Sequence, residues 1–587
     1  MKTPPIFVLL LLLSLSSSGF AQSGCVDPPA PDSYVAHKDI EFVLSDGYRT
    51  LADVRIPKAP PGPCGWPALV LIHGSGFGKD QMGSDAQKDS RQGFATITYD
   101  VRGQGASMAL NDPAVYGRGP LGLRERMDLF EVIEAVAAYF PNEIDINRIA
   151  VTGKSQGSFL TWCAAAHSGR VPPPNPWRTA PFPTIAAIIP RNNPTDLKSG
   201  SYPQGTSATE KHIKSLYKPL SGVHHDPVFF AQQHAFLMAE DYASLFDIPW
   251  GPGLDVVELL KTSTVPSRIT VSYDDVHFPA NCITDTWAAI LPNTPKLLNI
   301  TTGGHSTPKN NKEERVKRLR RQQWLHRFLR GQPNGVEDSP EVRMSIRPEN
   351  RMEYNSLNSL WDNREFTSWP PPTTDYTLWL NGGGDLLETL TTSGFVTVQN
   401  VWNIPYTIAD YVQELPLATE VQSYIPLDFA AWISQPFSQD RMMLGKGSGT
   451  IWLETMESDF QVNLSLYDVD LGGNSTFICS GATTVRGNQN FAPQPIDVDL
   501  GVYGYVFRKG HNLKLRVENL AWNRPPGGGE VSTLRSLPVF DDFYLKIKYG
   551  ANSPSSLRLP ILPIGNPVLV CSDVKLHPNG IKNLYFG

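Results

Sequence analysis

The sequence predicts an α/β protein followed by a second, all-β domain. In the first part of the chain, short apolar runs such as residues 68–72 and 94–99 alternate with amphipathic stretches, as in a parallel sheet covered by helices on both faces. Beyond about residue 342, short β-type segments separated by Gly, Asn and Pro turns dominate, which is typical of an antiparallel sandwich. A chain of 587 residues also exceeds what one hydrophobic core usually serves.

The composition excludes several classes of protein. Apolar residues make up 41% of the chain and charged residues 18%, which favours globular domains over disorder. The formal net charge is −6, so the charge balance indicates neither a nucleic acid nor an anionic membrane surface as a partner. The 48 Gly and 51 Pro residues indicate many loops, which suits a β-sandwich better than a helix bundle.

The first domain can be traced element by element. The Asp46-Gly47 pair between two alternating segments predicts a β-hairpin over residues 40–56. Apolar residues recur at helical spacing between residues 129 and 140, which predicts an amphipathic helix, and a second helix is expected over 159–166. The strands expected beside these helices cover residues 68–72, 94–99, 149–151, 185–189, 269–271 and 297–300.

The alternation of strands and helices lapses at about residues 191–262. This stretch carries scattered Pro, His and aromatic residues, and residues 227–246 have a helical pattern. An insertion of this size between two strands predicts a cap or lid over the functional site. We therefore expect an α/β domain over residues 22–340 that contains the cap, and a β-sandwich over residues 341–587.

A basic helix at residues 312–329 is expected to close the α/β domain. Its Arg318, Arg320 and Arg321 are interpreted as a solvated helix face, because the chain as a whole is acidic. An anion-binding patch is the alternative that this interpretation sets aside.

The first 21 residues have the features of a secretory signal peptide. Lys2 precedes an apolar run at residues 6–13, and small residues lead to a small-x-small site that ends at Ala21. The run is too short for a membrane span, which takes about 20 apolar residues. We therefore expect a secreted or periplasmic protein with no membrane span.

Six cysteines in an exported chain make disulfides plausible. Pairing within domains predicts the bonds Cys25–Cys64, Cys163–Cys282 and Cys479–Cys571, and the alternative for each cysteine is a buried thiol. The cysteines lack the C-x-x-C spacing of a zinc site, and neither an H-E-x-x-H motif nor a dinucleotide fingerprint occurs. We therefore expect no metal and no redox cofactor.

A nucleophile motif follows the strand at residues 149–151. Gly153-Lys154-Ser155-Gln156-Gly157 has the form G-x-S-x-G, with a strand before it and a helix after it. In this context Ser155 is the expected nucleophile, and the Gln156 N–H is expected to point at a developing oxyanion. The alternative, an ordinary Gly-rich turn, does not require this strand and helix.

A serine nucleophile needs a base and an acid that orients the base. His305 follows the strand at residues 297–300 and is the expected general base. Asp275 and Asp274 follow the strand at residues 269–271; Asp275 is the favoured acid and Asp274 the alternative. The other histidines considered, His224, His225 and His277, do not follow a strand in this way.

A second oxyanion donor is expected from the loop after residues 68–72. This loop reads His73-Gly74-Ser75-Gly76, and either Ser75 or Gly76 could supply a backbone N–H. The loop at residues 100–107 is interpreted as architectural, with no catalytic role.

Together these residues resemble the CocE/NonD hydrolases, the group of cocaine esterase and X-Pro dipeptidyl-peptidase. The motifs that carry the resemblance are, in chain order, Asp46-Gly47, Asp100-x-Arg102-Gly103-x-Gly105-x-Ser107, Gly153-x-Ser155-x-Gly157, Asp275 and His305. In the second half, Trp369-Pro370-Pro371 and residues 378–380 and 451–468 are similar to the C-terminal jelly-roll of the group. The resemblance implies an α/β-hydrolase core, a helical cap, a non-catalytic jelly-roll of galactose-binding-like type, and hydrolysis of an acyl ester or amide through an acyl-enzyme.

Two positions depart from the pattern of the group. Members typically place a Tyr hydroxyl in the oxyanion hole after the strand at residues 68–72, whereas the nearest aromatic residue here is Phe77. The residue after the nucleophile, often Tyr in the group, is Gln156. A backbone N–H is therefore expected to replace the missing hydroxyl, and the pocket wall is expected to differ.

Three functions remain open at this point. The favoured one is a serine esterase or amide acylase that acts on a small-molecule or peptide acyl substrate. The next is an X-Pro-type dipeptidyl aminopeptidase, and the third is a non-catalytic binding protein on a hydrolase fold. The order Ser155, Asp275, His305 favours an enzyme.

Overall fold

A large mixed sheet organises the first part of the chain in the computed structural model. The structure describes residues 25–119, 122–172, 174–192, 195, 200, 202–206, 223–247, 256–275, 277–292, 294–305, 310–347, 362–414, 421, 423–520, 522–523, 533–534, 537–562 and 569–570. The predicted signal peptide lies outside these residues.

Ten strands of this sheet come from the first two thirds of the chain. They are β1 (Tyr34–Val43), β2 (Arg49–Pro57), β3 (Trp66–Ile72), β4 (Ala95–Tyr99), β5 (Ile144–Lys154), β6 (Ala187–Arg191), β7 (Ser267–Ser272), β8 (Lys296–Thr301), β9 (Val342–Ile346) and β10 (Asp362–Phe366). Their order across the sheet is β1-β2-β4-β3-β5-β6-β7-β8-β9-β10. The neighbours from β4 to β9 pair in parallel, as the alternating pattern predicts.

Helices cover the sheet and connect its parallel strands. They are α1 (Gly83–Ser90), α2 (Pro113–Tyr116), α3 (Leu123–Tyr139), α4 (Gln156–His167), α5 (Pro227–Met238), α6 (Tyr242–Asp247), α7 (Val256–Leu260), α8 (Asn281–Thr284) and α9 (Asn311–Arg330). The predicted amphipathic helix is α3, which buries Leu129, Val132, Ile133, Val136 and Ala137, and every residue of α4 is buried. Both helices therefore pack as their sequence patterns predict. In the described part of the chain, no helix has the length and apolarity needed to cross a bilayer.

The interval between β6 and β7 holds α5, α6 and α7, where the cap is expected. The segment before α5 is bound to two loops of the α/β domain. The His224 N–H donates to Gly103 O at 2.8 Å, and the Asp226 N–H donates to Arg118 O at 2.9 Å. These backbone bonds hold the start of α5 against the loop that follows β4.

The second domain is built on antiparallel strands. They are β11 (Thr374–Leu380), β12 (Asp385–Leu387), β13 (Gly394–Asn400), β14 (Phe429–Ser434), β15 (Arg441–Glu454), β16 (Phe460–Val469), β17 (Ser475–Val485), β18 (Gln494–Phe507), β19 (Asn512–Glu518), β20 (Trp522–Asn523), β21 (Thr533–Leu534), β22 (Phe543–Tyr549) and β23 (Ser556–Ile561), with one helix, α10 (Ile408–Glu414), among them. Eleven described strands form its main sheet, in the order β13-β22-β15-β23-β11-β12-β14-β19-β16-β17, with β18 paired to β15. The predicted all-β second domain is confirmed.

The first sheet continues beyond residue 341, where the sandwich was expected to begin. Both β9 and β10 belong to it, and a final strand, β24 (Leu569–Val570), pairs antiparallel with β10. The chain therefore passes from the first sheet to the second domain after β10 and returns to the first sheet at β24.

A separate hydrophobic core joins the cap to the second domain. Leu237 of α5 and Tyr242 of α6 are buried in it together with Tyr411 of α10 and Phe540. Tyr411 and Phe540 meet edge to face with ring centroids 5.8 Å apart. Helices α5 and α6 thus pack against residues that lie far away in the sequence.

The cysteines follow only part of the predicted pairing. Cys25 and Cys64 form a disulfide with a Cα–Cα distance of 5.8 Å, which confirms that pair. The predicted bond between Cys163 and Cys282 is wrong: both are buried thiols, and burial raises the pKa of Cys163 to about 11. Cys571 lies outside the described residues, so its bond with Cys479 stays a prediction.

Helix α9 is basic, as predicted, but two of its arginines are engaged with neighbouring side chains. Arg321 Nη1 and Nη2 donate to the two carboxylate oxygens of Asp89 at 2.6 and 2.7 Å. Arg320 donates to Ser339 Oγ at 2.8 Å. The interpretation as a solvated face is therefore wrong for these two and holds for the exposed Arg318. Asp89 is 232 residues away from Arg321, so no local pattern could indicate the pair.

A buried histidine on α9 makes stability depend on pH. His326 is 5% exposed with its ring centroid 5.3 Å from that of Phe94, and burial together with the Arg330 charge lowers its pKa to about 4. The unfolded chain takes up this proton near pH 6.5, whereas the folded chain does so only near pH 4. Stability therefore falls as the pH drops through this window, by roughly 3 kcal/mol for this group.

We expect His326→Phe to lose less stability than the unchanged protein between pH 7 and pH 4.5. Urea unfolding at the two pH values measures the difference. His234→Phe, at an exposed position, is the matched control and is expected to behave like the unchanged protein. Equal losses in the unchanged protein and in His326→Phe would contradict the assignment.

Candidate active site

Ser155 lies at the sharp turn between β5 and α4. Its backbone has φ 56° and ψ −125°, an unfavourable conformation for a residue with a side chain. The Ser155 N–H donates to Arg191 O at 3.1 Å, and its carbonyl accepts the N–H groups of Ser158 and Phe159 at the start of α4. Hydrogen bonds at both the N–H and the carbonyl of Ser155 thus hold the strained turn.

Close packing explains both glycines of the motif. A Cβ on Gly153 would lie 2.1 Å from Gly157 O, and a Cβ on Gly157 would lie 2.3 Å from Ile72 O. Neither position can hold a side chain unless the backbone moves. The Ser155 turn therefore packs directly against the end of β3, as the G-x-S-x-G interpretation requires.

Asp275 and His305 meet at the ends of two neighbouring parallel strands. Asp275 follows β7, His305 follows β8, and Asp275 Oδ2 lies 2.7 Å from His305 Nδ1. The other carboxylate oxygen, Oδ1, accepts the backbone N–H groups of His277 and Phe278 at 2.8 and 3.0 Å. Asp275 is 4% exposed, so its carboxylate is held in one orientation inside the protein.

Two opposing effects set the charge of Asp275. Burial raises the pKa of its carboxyl, but the His305 charge and hydrogen bond outweigh burial and hold this pKa below its ordinary value. Asp275 is therefore ionised over the range in which a histidine titrates. An ionised acceptor at Nδ1 fixes the proton on that nitrogen and leaves Nε2 as the basic atom.

The alternative acid, Asp274, has a different partner. Its Oδ1 lies 3.8 Å from Nη1 of Arg347, the residue that follows β9. The structure thus brings His305 together with Asp275 and places Asp274 beside Arg347.

The other histidines considered lie around the pair. The His277 ring is inclined at 70° to the His305 ring, with centroids 4.6 Å apart. His224 and His225 lie in the cap segment that pairs with the loops below it. Among the described residues no hydrogen bond joins Ser155 Oγ to His305, a contact that often tightens only when substrate binds.

The loop after β3 leaves one of its N–H groups available. The Gly74 N–H donates to Gln81 Oε1 at 2.7 Å, and the Gly76 N–H donates to Gln104 Oε1 at 2.8 Å. In the described part of the chain the Ser75 N–H has no such acceptor. Of the two expected oxyanion donors, Ser75 is therefore the one whose N–H is not already engaged.

Two residues that the sequence analysis did not single out hold this loop. Gln104, fully buried, accepts from Gly76 N–H and donates through Nε2 to Gln156 Oε1 at 3.2 Å. Arg118, 3% exposed, donates to Ser75 Oγ at 2.9 Å. One amide thus joins the loop to the residue that follows the nucleophile. The polar Gln104 between two glycines was the only local signal.

His73 fixes the same loop to the next strand. Its Nε2 accepts the Val101 N–H at 3.0 Å, so Nδ1 carries the ring proton and donates to Gly74 O at 2.7 Å. Burial, opposed by the Gly74 hydrogen bond, lowers the pKa of His73 to about 4. The ring therefore stays neutral, as this hydrogen-bond pattern requires.

The loop after β4 is held in place by ion pairs and by hydrogen bonds to the backbone. Arg102 pairs with both oxygens of Asp128 at 2.8 and 2.9 Å and with Asp46 at 2.9 Å. Asp100 accepts the backbone N–H groups of Lys79 and Ser107 at 2.7 and 3.0 Å. These buried contacts agree with the predicted role of residues 100–107, with Gln104 as the exception.

One group of possible metal ligands occurs among the described residues. It comprises Cys25, Cys64 and Asp145. The disulfide takes up both sulfurs, so this group offers no thiolate to a metal ion.

Two family profiles match the chain. The profile of the X-Pro dipeptidyl-peptidase C-terminal non-catalytic domain matches residues 334–530, and the profile of the alpha/beta hydrolase fold matches residues 67–175. A comparison with curated protein sequences gives no match.

Three solved structures are similar to nearly the whole chain. A CocE/NonD family hydrolase from Staphylococcus aureus is 15% identical with a TM-score of 0.67, over 90% of this chain and 94% of that one. An aminopeptidase from a Thaumarchaeota archaeon of marine sediment is 13% identical with a TM-score of 0.62, over 91% and 97%. An α-amino acid ester hydrolase is 14% identical with a TM-score of 0.61, over 94% and 100%.

At these identities the similarity establishes the fold. The chain has the fold of the CocE/NonD hydrolases, an α/β-hydrolase domain followed by an all-β domain of the X-Pro dipeptidyl-peptidase type, as the sequence resemblance implies.

Proposed function

We propose that the protein is a serine hydrolase that cleaves acyl esters or amides through an acyl-enzyme. The observation that carries this proposal is the 2.7 Å contact between Asp275 and His305, at the sheet edge where Ser155 occupies its strained turn. A serine hydroxyl becomes a nucleophile when a histidine can take its proton, and a buried carboxylate holds that histidine in the required orientation. The hydrolases with the same fold add support.

In the proposed mechanism Ser155 Oγ attacks the acyl carbonyl while His305 Nε2 takes its proton. Asp275 holds the Nδ1–H tautomer and stabilises the imidazolium that forms. The N–H groups of Gln156, at the start of α4, and Ser75 donate to the oxyanion. His305 then protonates the leaving group, and water releases the acyl group by the same steps in reverse order.

A second candidate function is cleavage of X-Pro peptides. The observation that favours it is the match of residues 334–530 to the non-catalytic domain of X-Pro dipeptidyl-peptidases. The similar structures include proteins described as an aminopeptidase and as an α-amino acid ester hydrolase, so esters and amides of amino acids are the first substrates to test.

We also propose that the protein works outside the reducing cytoplasm. The Cys25–Cys64 disulfide supports this location, because such bonds persist mainly in oxidising compartments. The expected signal peptide of residues 1–21 has the same implication.

Ser155→Ala is expected to abolish both p-nitrophenyl ester hydrolysis and labelling by a fluorophosphonate probe, because it removes the attacking oxygen. His305→Ala should fail in the same way. Labelling is measured on the intact protein by mass spectrometry, with circular dichroism to show that each variant is folded. Full labelling of Ser155→Ala would refute the proposed nucleophile, and no labelling of the unchanged protein would favour a non-catalytic binding protein.

The two neighbouring aspartates provide a matched test of the proposed acid. Asp275→Asn should lower kcat by about 10³–10⁴-fold, because an amide at this place favours the wrong histidine tautomer. Asp274→Asn should leave kcat within about tenfold of the unchanged protein, because Asp274 lies beside Arg347 instead of His305. The reverse order of effects would assign the acid to Asp274.

Gln104→Leu is expected to lower kcat by about 10–100-fold with little change in KM, because the Ser75 loop loses its connection to Gln156. Gln104→Glu keeps an acceptor for the Gly76 N–H and should recover part of the loss. Steady-state kinetics and thermal unfolding measure the two effects separately. A change in stability with unaltered kcat would show that Gln104 has only a structural role.

Rates on matched substrates distinguish the two candidate functions. We expect hydrolysis of small acyl esters and of amino acid esters, with slower turnover of the corresponding anilides. A preference for X-Pro-anilides over all simple esters would favour the dipeptidyl aminopeptidase.

A further inference from the structure

A buried arginine on the α9 side of the first sheet has no carboxylate partner among the described residues. Arg268, near the start of β7, is 2% exposed, and its Nη2 donates to Lys317 O at 3.2 Å. Its Nε is buried, and no described residue accepts a hydrogen bond from it. In the described part of the chain no ion pair joins this guanidinium to a carboxylate. A buried cation in this state is costly, by several kcal/mol, and is normally paired.

The charges nearest to Arg268 are also positive. The pKa of Arg268 is lowered to about 9, first by burial and then by the charges of Arg343, Arg321, Arg320 and Arg191. Three of these neighbours have acids of their own: Arg321 pairs with Asp89, Arg343 with Glu365 and Arg191 with Asp85. The excess of positive charge is thus concentrated on Arg268.

A small cavity opens beside this guanidinium. Its volume is about 20 Å³, and its lining includes Arg268, Arg320, Arg343, Ser339 and Glu341. A cavity of about 10–15 Å³ holds one water molecule, so the space suits a single water-sized occupant. Glu341 is exposed at the rim, and no ion pair joins it to Arg268 among the described contacts.

Two of the residues that line this space carry hydrogen-bond donors. Ser339 Oγ accepts from Arg320 Nη1 at 2.8 Å, so its own hydroxyl proton remains to be donated. Arg268 Nε is a further donor that lacks an acceptor. Donors without acceptors in a positively charged cavity indicate a missing anion.

We propose that this cavity binds one small monovalent anion of the halide class, chloride in solution, through Arg268, Arg320 and Ser339. Sulfate and phosphate are too large for a space of one water molecule. The site is distinct from the Asp275–His305 pair: Arg268 lies near the amino end of β7, whereas Asp275 follows its carboxyl end. The bound anion neutralises a buried charge and stabilises the contact of α9 with the sheet.

Thermal unfolding in different anions tests the proposal in solution. At constant ionic strength, replacing sodium gluconate by sodium chloride should raise the midpoint of the unchanged protein, on the order of 1–3 °C for each tenfold step above the dissociation constant. Sodium bromide should act like chloride, and sodium sulfate should not.

Two arginine variants show whether Arg268 mediates this response. Arg268→Met should remove the chloride-specific shift, and Arg318→Met, at an exposed position on α9, should keep it. The same shift in Arg268→Met as in the unchanged protein would overturn the proposal. So would the absence of any difference between chloride and gluconate in the unchanged protein.

Bromide diffraction provides a test that does not depend on the folding of a variant. Crystals of the unchanged protein grown in sodium bromide should show an anomalous peak in contact with the Arg268 guanidinium. A cavity that contains only ordered water in that map would overturn the proposal. Neither experiment measures hydrolysis, so the outcome is independent of the proposed function.

Discussion

The register of the parallel strands is the constraint on which the site depends. Ile72 at the end of β3 is level with Gly153 of β5, so the loop that holds Ser75 and the Ser155 turn leave the sheet side by side. Ser272 of β7 is level with Thr301 of β8, so the loops that carry Asp275 and His305 also leave together. A shift of one residue in either pair would reverse the direction of the side chains and separate groups that now lie in contact.

The second domain supports this arrangement from outside the sheet. Tyr503 of β18 donates its hydroxyl to Tyr273 O at 3.3 Å, and Arg347 lies beside Asp274, so the loop before Asp275 is held by both. Arg486 pairs with Glu240 of the cap at 3.0 Å, next to the aromatic core shared with α5 and α6. The β-domain is therefore part of the framework that positions the Asp275 loop and helices α5 and α6.

Local motifs account for what could be predicted from the sequence. Ser155 is marked by the two glycines of its motif. Asp275 and His305 are each marked by the apolar strand that precedes them. Features that depend on contacts between residues far apart in the sequence could not be predicted from local motifs. The Gly76 N–H is already engaged because Gln104 reaches it from another loop, and Cys163 stays a thiol although Cys282 lies in the same domain. The pairing of Arg321 with Asp89 was hidden for the same reason.

The Cys25–Cys64 disulfide also acts on the unfolded chain. It closes a loop with a sequence separation of 39 residues that contains β1, at the edge of the first sheet, and its neighbour β2. On a chain-entropy model, closing a loop of this length removes about 4 kcal/mol of conformational freedom from the unfolded ensemble. Protein produced in a reducing compartment lacks this constraint. We therefore expect β1 and β2 to separate from the sheet more readily there, while the buried central strands remain paired.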